Sequence, residues 1–377
     1  MKKVLLVAMA DSIHTARWLE QFRDAEIKFM LFPSSPHRRV HPRIDRMLEA
    51  DSGVNLTLSW GLRLFSLPLW LVDRFVDNRL RGLLLRRMLR CEQPEIVHAM
   101  ETQGAGYVMR RALRKSTAKP RVMLTIWGSD LFWFRQFPRH RRKLKETLNL
   151  VDDLALECSR DVAIARDLGY KGHVMPPFPI TGGYDVEALS QIASAVSTSK
   201  RKVILVKGHT RFVGRADLAL KALEQVRDLL DGYKIVVYSA DPKARRVSRK
   251  LSTQYSLDIS LHKRGSLTHD EVINLFSQAR IYLGISLSDG LPNSLQEAMV
   301  LGAFPIQTNT SCADEWIVDG KSGFIVDPHN LASIVSALRK ALESDALVDA
   351  AATLNLATSH QRLSVGFVSK LVQSFYN

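Results

Sequence analysis

The sequence predicts an α/β fold built from two doubly wound parallel-sheet domains. Three observations lead there. The chain has 377 residues, and single cores usually serve roughly 100–200. Short runs rich in Val, Ile and Leu alternate with helix-patterned segments, the rhythm of a parallel sheet covered on both faces. That rhythm breaks once, at Pro176-Pro177-Phe178-Pro179-Ile180-Thr181-Gly182-Gly183, and then restarts. The break is the natural linker.

In chain order, Val4–Ala10 reads as a buried first strand and Thr15–Asp24 as the helix after it. Ile27–Phe32 is the next strand, closed by Pro33. Glu95–Ala99 is a strand entered through Pro94, with a helix from about Gly106 to Lys115. Val122–Ile126 is a strand ending at Trp127-Gly128-Ser129-Asp130. Leu154–Leu156 and His173–Met175 are short candidates. After the linker, strands are expected at Val203–Val206, Lys234–Tyr238, Ile259–His262, Ile281–Ile285, Phe304–Ile306 and Gly323–Val326. Helices are expected at Ala216–Leu230, Asp270–Ala279 and Ser294–Leu301, with a last one from Gln361 to Tyr376. The expected domains are 1–180 and 181–355, with 356–377 returning to the first. Sheets of this kind bind ligands at the carboxyl ends of their strands, so a cleft between the halves is the expected site.

Hydrophobic residues make up 46% and charged ones 24%, which excludes a disordered or fibrous chain. Cys91, Cys158 and Cys312 are odd in number and widely spaced. With no Cys-x-x-Cys or Cys/His cluster, neither a disulfide framework nor a structural zinc site is expected, and a reducing cytoplasm fits best. The apolar run after Met1-Lys2-Lys3 is short for a signal peptide and is followed at once by Asp11, His14 and Arg17; a buried strand explains it better. The most apolar stretch, Leu62 to Val76, carries Arg63, Asp73 and Arg74, too many charges for a membrane span.

The net charge of +15 is uneven. Residues 1–180 hold 31 Lys and Arg against 19 Asp and Glu. The excess gathers in Arg79, Arg81, Arg86, Arg87 and Arg90, where leucines interleave, and in Arg135, Arg139, Arg141, Arg142, Lys143 and Lys145. Either Arg79–Arg90 is a solvated face of a packed helix, or it meets an anionic membrane surface that carries a lipid-linked acceptor. Nucleic acid is not expected as a partner, because no helix-turn-helix, RRM or zinc-finger signature is present.

The most informative segment is Ser286-Leu287-Ser288-Asp289-Gly290-Leu291-Pro292-Asn293-Ser294-Leu295-Gln296-Glu297. It reads as a strand end, a turn and a helix start. Ser294 with Glu297 three residues on has the spacing of a capping box. The amides from Gly290 onward would form an anion site suited to a diphosphate, while Asp289 and Glu297 could accept hydrogen bonds from hydroxyls. The plainer reading makes Ser294 and Glu297 only a helix cap. Upstream, Lys207-Gly208-His209 closes a strand, with Arg211 and Arg215 following. That loop is either a phosphate contact or a polar loop with incidental cations.

The segment from Ser286 resembles the donor-site motif of GT4-type glycosyltransferases, two acids separated by seven positions. Gly302–Ile306, Glu315 and Gly320–Pro328 follow in the same family order, as does Gly265–Arg280 upstream, so the resemblance covers roughly residues 200–330. It implies the GT-B architecture: two Rossmann-like domains facing a central cleft and a C-terminal helix returning to the first. It implies a retaining, metal-independent transferase of the bacterial surface-polysaccharide or lipopolysaccharide type. Glu297 would bind the donor ribose and Asp289, where the family has glutamate, the transferred sugar. The family's Gly-Arg pair with a lysine six positions later would correspond to Gly208, His209 and Arg215, with Arg211 and Lys207 close by. Lys263-Arg264-Gly265 would sandwich the nucleotide base through its backbone.

In the first half the resemblance is weaker. Asp11–Trp18 lacks the family's glycines, which leaves His14 either near the cleft or at an ordinary surface. Asp130, ending a Gly-Ser-Asp segment, would point to the cleft. His98 beside Glu101 reads more simply as a satisfied structural histidine. The chain has no Asp-x-Asp, the usual metal motif of the other large transferase fold. The expected site is thus Asp289, Arg215 and Asp130 for chemistry. Gly208, His209, Arg211, Lys263, Arg264, Gly290, Leu291, Pro292, Asn293, Ser294 and Glu297 would hold the donor. UDP is the favoured nucleotide because resembling enzymes commonly use it. A glycan or lipid-linked molecule is the expected acceptor. Competing classes are a nucleotide-sugar epimerase, an inactive donor-binding protein and a basic surface binder.

Overall fold

The computed structural model describes residues 1–35, 39–49, 51–59, 71–73, 75–180, 182–193 and 196–376. Arg63 and Arg74 of the apolar stretch, and Thr181 of the linker, lie outside the described residues. The chain forms two compact units, Met1–Gly182 with Val368–Asn377, and Gly183–Phe367.

The first unit is a seven-stranded sheet in the order β3-β2-β1-β4-β5-β6-β7. Its strands are β1 (Lys2–Ala8), β2 (Ile27–Pro33), β3 (Asn55–Leu58), β4 (Ile96–Met100), β5 (Arg121–Thr125), β6 (Asp153–Ala155) and β7 (His173–Val174). Every pairing is parallel. The two-residue period of a strand sends alternate side chains to opposite faces. Val4, Leu6 and Ala8 therefore pack with Trp18, Phe22, Phe375 and Tyr376. Leu5 and Val7 pack with Leu85, Leu89, Tyr107 and Leu144 on the other face. This is why β1 reads as a continuous apolar run. The short polar β3 lacked any such signal and was not expected.

The chain's last residues complete the first core. The Trp18 Nε1–H donates to the Tyr376 hydroxyl at 3.0 Å, and that hydroxyl lies 2.6 Å from His98 Nδ1. His98 Nε2 lies 2.7 Å from Thr125 Oγ1. A hydroxyl that accepts from Trp18 still has its own proton to donate, which matches Nδ1 as the acceptor and a ring proton on Nε2 directed to Thr125. Burial lowers the His98 pKa to about 3, so the ring is a neutral structural link.

The second unit is a six-stranded parallel sheet in the order β10-β9-β8-β11-β12-β13. Its strands are β8 (Val203–Lys207), β9 (Lys234–Ala240), β10 (Ile259–Lys263), β11 (Ala279–Gly284), β12 (Phe304–Thr308) and β13 (Phe324–Val326). The chain runs outward from β8 through β9 to β10, then returns to β11 on the other side. The β8/β11 boundary is therefore a topological switch point, where doubly wound sheets open a crevice.

Several expected boundaries move; the Thr15–Asp24 helix is Ile13–Glu20, and the last helix begins at Val365 rather than Gln361. The helix after β8 ends at Gln225 rather than Leu230, because the Val226 N–H splits between the carbonyls of Ala222 and Leu223 and tightens the turn. The boundary drawn at 355 falls inside one unbroken helix, Asp345–Arg362. Asn355 Nδ2 donates to the Ser322 carbonyl at 2.7 Å, which ties that helix to the second unit. The crossing to the first unit comes later, within the Val365–Ser374 helix.

Candidate donor site in the second unit

A cavity of about 540 Å³ opens at the carboxyl ends of β8, β9, β11 and β12. Glycines shape it. A Cβ on Gly208 would lie 2.7 Å from the Ala240 Cα, so the loop leaving β8 can pass β9 only as glycine. Gly284 faces Gln307 across β11 and β12. A Cβ there would lie 2.0 Å from Gln307 Oε1, so that glycine seats the buried Gln307 side chain in the cavity floor. Gln307 Oε1 has no hydrogen-bond partner among the described residues.

The loop 208–214 folds back on itself. The Ala216 N–H donates to the His209 carbonyl at 2.8 Å. Thr210 donates from its backbone N–H and its hydroxyl to Asp241 at 2.7 and 2.8 Å. Asp241 also caps the Pro242–Tyr255 helix through Ala244, so its carboxylate is spent on holding the loop. Phe212 adopts φ 59° and is exposed at the rim.

Lys207, Arg211, Arg245, Lys263 and Arg264 line the cavity with Asp241 and Asp289 as the acids. Lys207 Nζ lies 3.7 Å from Asp289 Oδ2. Burial works against the lysine's charge. The carboxylate of Asp289, with Tyr282 and Glu297, outweighs it and holds the pKa above its ordinary value. Arg211, Arg245, Lys263 and Arg264 carry no ion pair among the described residues. The Nε of Arg245 is buried without a hydrogen-bond partner. The wall thus holds five cations beside two carboxylates, Asp241 and Asp289.

The expected site residues divide. His209, Arg211, Lys263, Arg264 and Asp289 line the cavity. His209 does not replace the expected arginine's charge: burial, then Lys207 and Arg264, lower its pKa to about 4. Arg215 is absent from the wall. Its Nε pairs with Asp217 at 3.4 Å, and Asp217 also holds Lys243 at 2.9 Å. Gly208 serves through its backbone.

The capping box at Ser294 does not form. The Asn293–Val300 helix has Pro292 as its N-cap, without a side-chain cap. Ser294, one residue into the helix, instead accepts from the Tyr282 hydroxyl at 2.6 Å. Glu297 Oε1 lies 3.9 Å from His269 Nδ1. Gly290 donates its N–H to Asp289 Oδ1 at 3.0 Å. Leu291 and Leu295 are buried in an apolar cluster, so these two anchor the turn.

In the first unit, Asp130 is buried and its Oδ2 accepts from the amides of Thr102 at 2.7 Å and Trp127 at 3.3 Å. Burial, then the charge of Glu101, raises its pKa. Glu101, itself raised by burial, accepts from the amides of Gly104 and Ala105. Both acids brace the backbone at the ends of β4 and β5. His14 packs edge-on against Trp127, with ring centroids 5.2 Å apart.

Two polar wall residues, Arg245 and Gln307, escaped the sequence reading. Arg245 follows β9 and Gln307 ends β12, and only the strand order brings both beside β8. Lys207 had been noted only as a neighbouring charge.

Carboxylates and a row of cations line the switch point of this Rossmann-like unit, and two such parallel-sheet units are the architecture of the GT-B class. Residues 190–354 match the family model of glycosyl transferases group 1, and residues 78–156 match that of glycosyl transferase 4-like proteins. The chain belongs to the GT4-type glycosyltransferases and is a transferase enzyme. Among solved structures, it is similar to sucrose-phosphate synthase from Thermosynechococcus elongatus at TM-score 0.75, 12% identity, covering 100% of this chain and 98% of that one. It is similar to the trehalose 6-phosphate synthase of Burkholderia multivorans at TM-score 0.71, 13% identity, covering 100% and 99%. HepE of Anabaena, solved in complex with UDP, aligns at TM-score 0.67, 12% identity, covering 100% and 99%. At these identities the likeness concerns the fold. No curated protein sequence matches the chain.

Proposed function

We propose that the protein transfers a sugar from a nucleoside diphosphate sugar bound in the second-unit cavity to a glycan or lipid-linked acceptor, with retention and without a metal. The observation that carries the reading is the cluster of unpaired cations facing Asp289 at the β8/β11 switch point. A departing diphosphate needs compensating charge where it develops, and preorganised donors supply it without reorganisation. Lys207 and Arg211 are the assigned diphosphate contacts, assisted by the uncapped start of the Asn293–Val300 helix. Asp289 and Glu297 take sugar and ribose hydroxyls, and Lys263-Arg264-Gly265 flanks the base. The departing phosphate itself receives the acceptor's proton. UDP is the favoured nucleotide, supported by the HepE structures with UDP and UDP-glucose.

Surface-polysaccharide or lipopolysaccharide assembly is the proposed setting, at the inner face of the cytoplasmic membrane, with Arg79–Arg90 touching anionic lipid. Among the described residues no helix is long and apolar enough to cross a membrane, so such contact would be peripheral. The test is thermal stabilisation by UDP, GDP, ADP and their sugars, with and without EDTA. Selective stabilisation by one nucleotide that survives EDTA and disappears in Asp289→Ala/Arg211→Ala supports the site. No stabilisation by any nucleotide sinks it.

A further inference from the structure

The helices Arg79–Glu92 and Tyr107–Leu113 approach so closely that a Cβ on Gly82 would lie 2.6 Å from the Arg111 Cβ. Beside that contact a second cavity, of about 560 Å³, is lined by Arg79, Leu83, Arg86, Arg111, Arg114 and Lys115. Five of its six side chains are cationic. Three are held in place. Arg86 donates to the carbonyls of Ala112 and Arg111, both at 3.0 Å. Arg111 Nε donates to the Asp77 carbonyl at 2.9 Å, and Arg114 to Glu146 at 3.3 Å.

The local acids do not neutralise this surface. Asp77 is shared by Arg110, Arg111 and Lys143, and Glu146 by Arg110, Arg114 and Arg142. Two carboxylates thus serve five cations. Arg79 and Lys115 are exposed and have no ion pair among the described residues. Arg87 and Arg90 extend the exposed stripe along the helix.

Charge alone would fit any polyanion. The apolar neighbours decide the partner. Phe75 is 86% exposed, and Leu83, Leu84, Leu71 and Val72 are exposed with it. Apolar side chains set among cations, on and just before one helix, are the makeup of a surface that lies in the bilayer interface. The phosphate backbone of a nucleic acid offers the aliphatic Leu71, Val72, Leu83 and Leu84 nothing to be buried against.

We propose that this groove is a binding site for the phosphate headgroup of an anionic phospholipid, with Phe75, Leu83 and Leu84 entering the bilayer around it. The proposal deepens the membrane contact assigned above to Arg79–Arg90, and it adds the Tyr107–Lys115 segment and Phe75 to that face. It does not depend on the donor cavity, which lies in the other unit.

The experiment is co-sedimentation of the full chain with vesicles of phosphatidylcholine, alone or with a quarter phosphatidylglycerol, at about 0.15 M salt. Binding is expected only to the mixed vesicles. Arg79→Glu/Lys115→Glu and, separately, Phe75→Ser/Leu83→Ser should each weaken it by about tenfold or more. The UDP-induced thermal shift should match wild type in both, which shows that each variant is folded. If UDP fails to stabilise wild type as well, the donor reading falls while the vesicle result stands. Failure to bind the mixed vesicles overturns the proposal, as does equal binding by the charge variant. So does binding that survives Phe75→Ser/Leu83→Ser and is matched on duplex DNA, which would make the face a general polyanion surface.

Discussion

Lys207 and Arg215 illustrate how far side-chain type can mislead about partnership. Both are cations flanking the same loop, and the spacing from His209 favoured Arg215. The structure ties Arg215 to Asp217 and turns Lys207 toward Asp289. Lys207→Met should therefore weaken nucleotide binding by about tenfold or more, the scale of a charge-assisted contact. Arg215→Ala should change it by less than about threefold. Titration calorimetry with UDP decides; the reverse order would restore Arg215 as the diphosphate contact. His98 gives a second residue-scale prediction. Its pKa is about 3 in the fold, against about 6.5 when unfolded. Above pH 6.5 both states are neutral and pH has no effect through this group. Below it the unfolded state takes up the proton first, so stability falls as pH drops toward 3, by about 1.4 kcal/mol per unit. His98→Gln lacks that penalty. Its cost relative to wild type in urea unfolding should shrink by about 2 kcal/mol between pH 7 and pH 5. A cost independent of pH would mean that the ring is not held neutral.

The Asn293–Val300 helix shows the same ambiguity at the scale of an element. Ser294 and Glu297 have the spacing of a capping box, and local chemistry cannot distinguish that from any other use of the pair. The helix begins two residues earlier than a Ser294 cap requires, at Asn293 with Pro292 as its N-cap, and the fixed φ of proline suits it to lead into a helix. That shift points the serine at Tyr282 on the neighbouring strand β11. Ser294→Ala and Tyr282→Phe should then be coupled in a double-mutant cycle by about 0.5–1.5 kcal/mol, the range for one buried hydrogen bond. Additive costs would show that the serine acts locally. The loop 208–214 is likewise an element held from outside. Asp241, on the next strand–helix junction, grips Thr210 from both its amide and its hydroxyl.

For the whole molecule, the instructive feature is the return of the last residues to the first core. Tyr376 and Phe375 are fully buried against Trp18, Phe22 and His98. Tyr376→Ala removes a large buried aromatic and should cost about 3–5 kcal/mol. The loss should be confined: amide exchange should quicken in β1, β4 and the Ile13–Glu20 helix and remain unchanged in β8–β13. Exchange that quickens equally in both units would mean that they unfold as one. Stabilisation by UDP should persist in this variant, since the donor cavity draws on the second unit alone.

The fold class was legible in the sequence alone. Strand alternation, apolar runs buried on both faces and the Pro/Gly break are local patterns, and local patterns carry the backbone's periodicity. The acid pair 289/297 and the glycine of 208 were legible for the same reason, being contiguous in the chain. Tertiary structure alone decided which cations face the cavity. Lys207 ends β8, Arg245 lies on the Pro242–Tyr255 helix after β9 and Gln307 lies in β12; these segments, far apart in sequence, are joined only by the order β9-β8-β11-β12. It also decided that Asp130 braces backbone amides, because burial and partners at that carboxylate depend on neighbours 28 and 3 residues away. A charge's role follows from the distance to its partner, and in a doubly wound sheet those distances are set by strand order rather than by spacing along the chain.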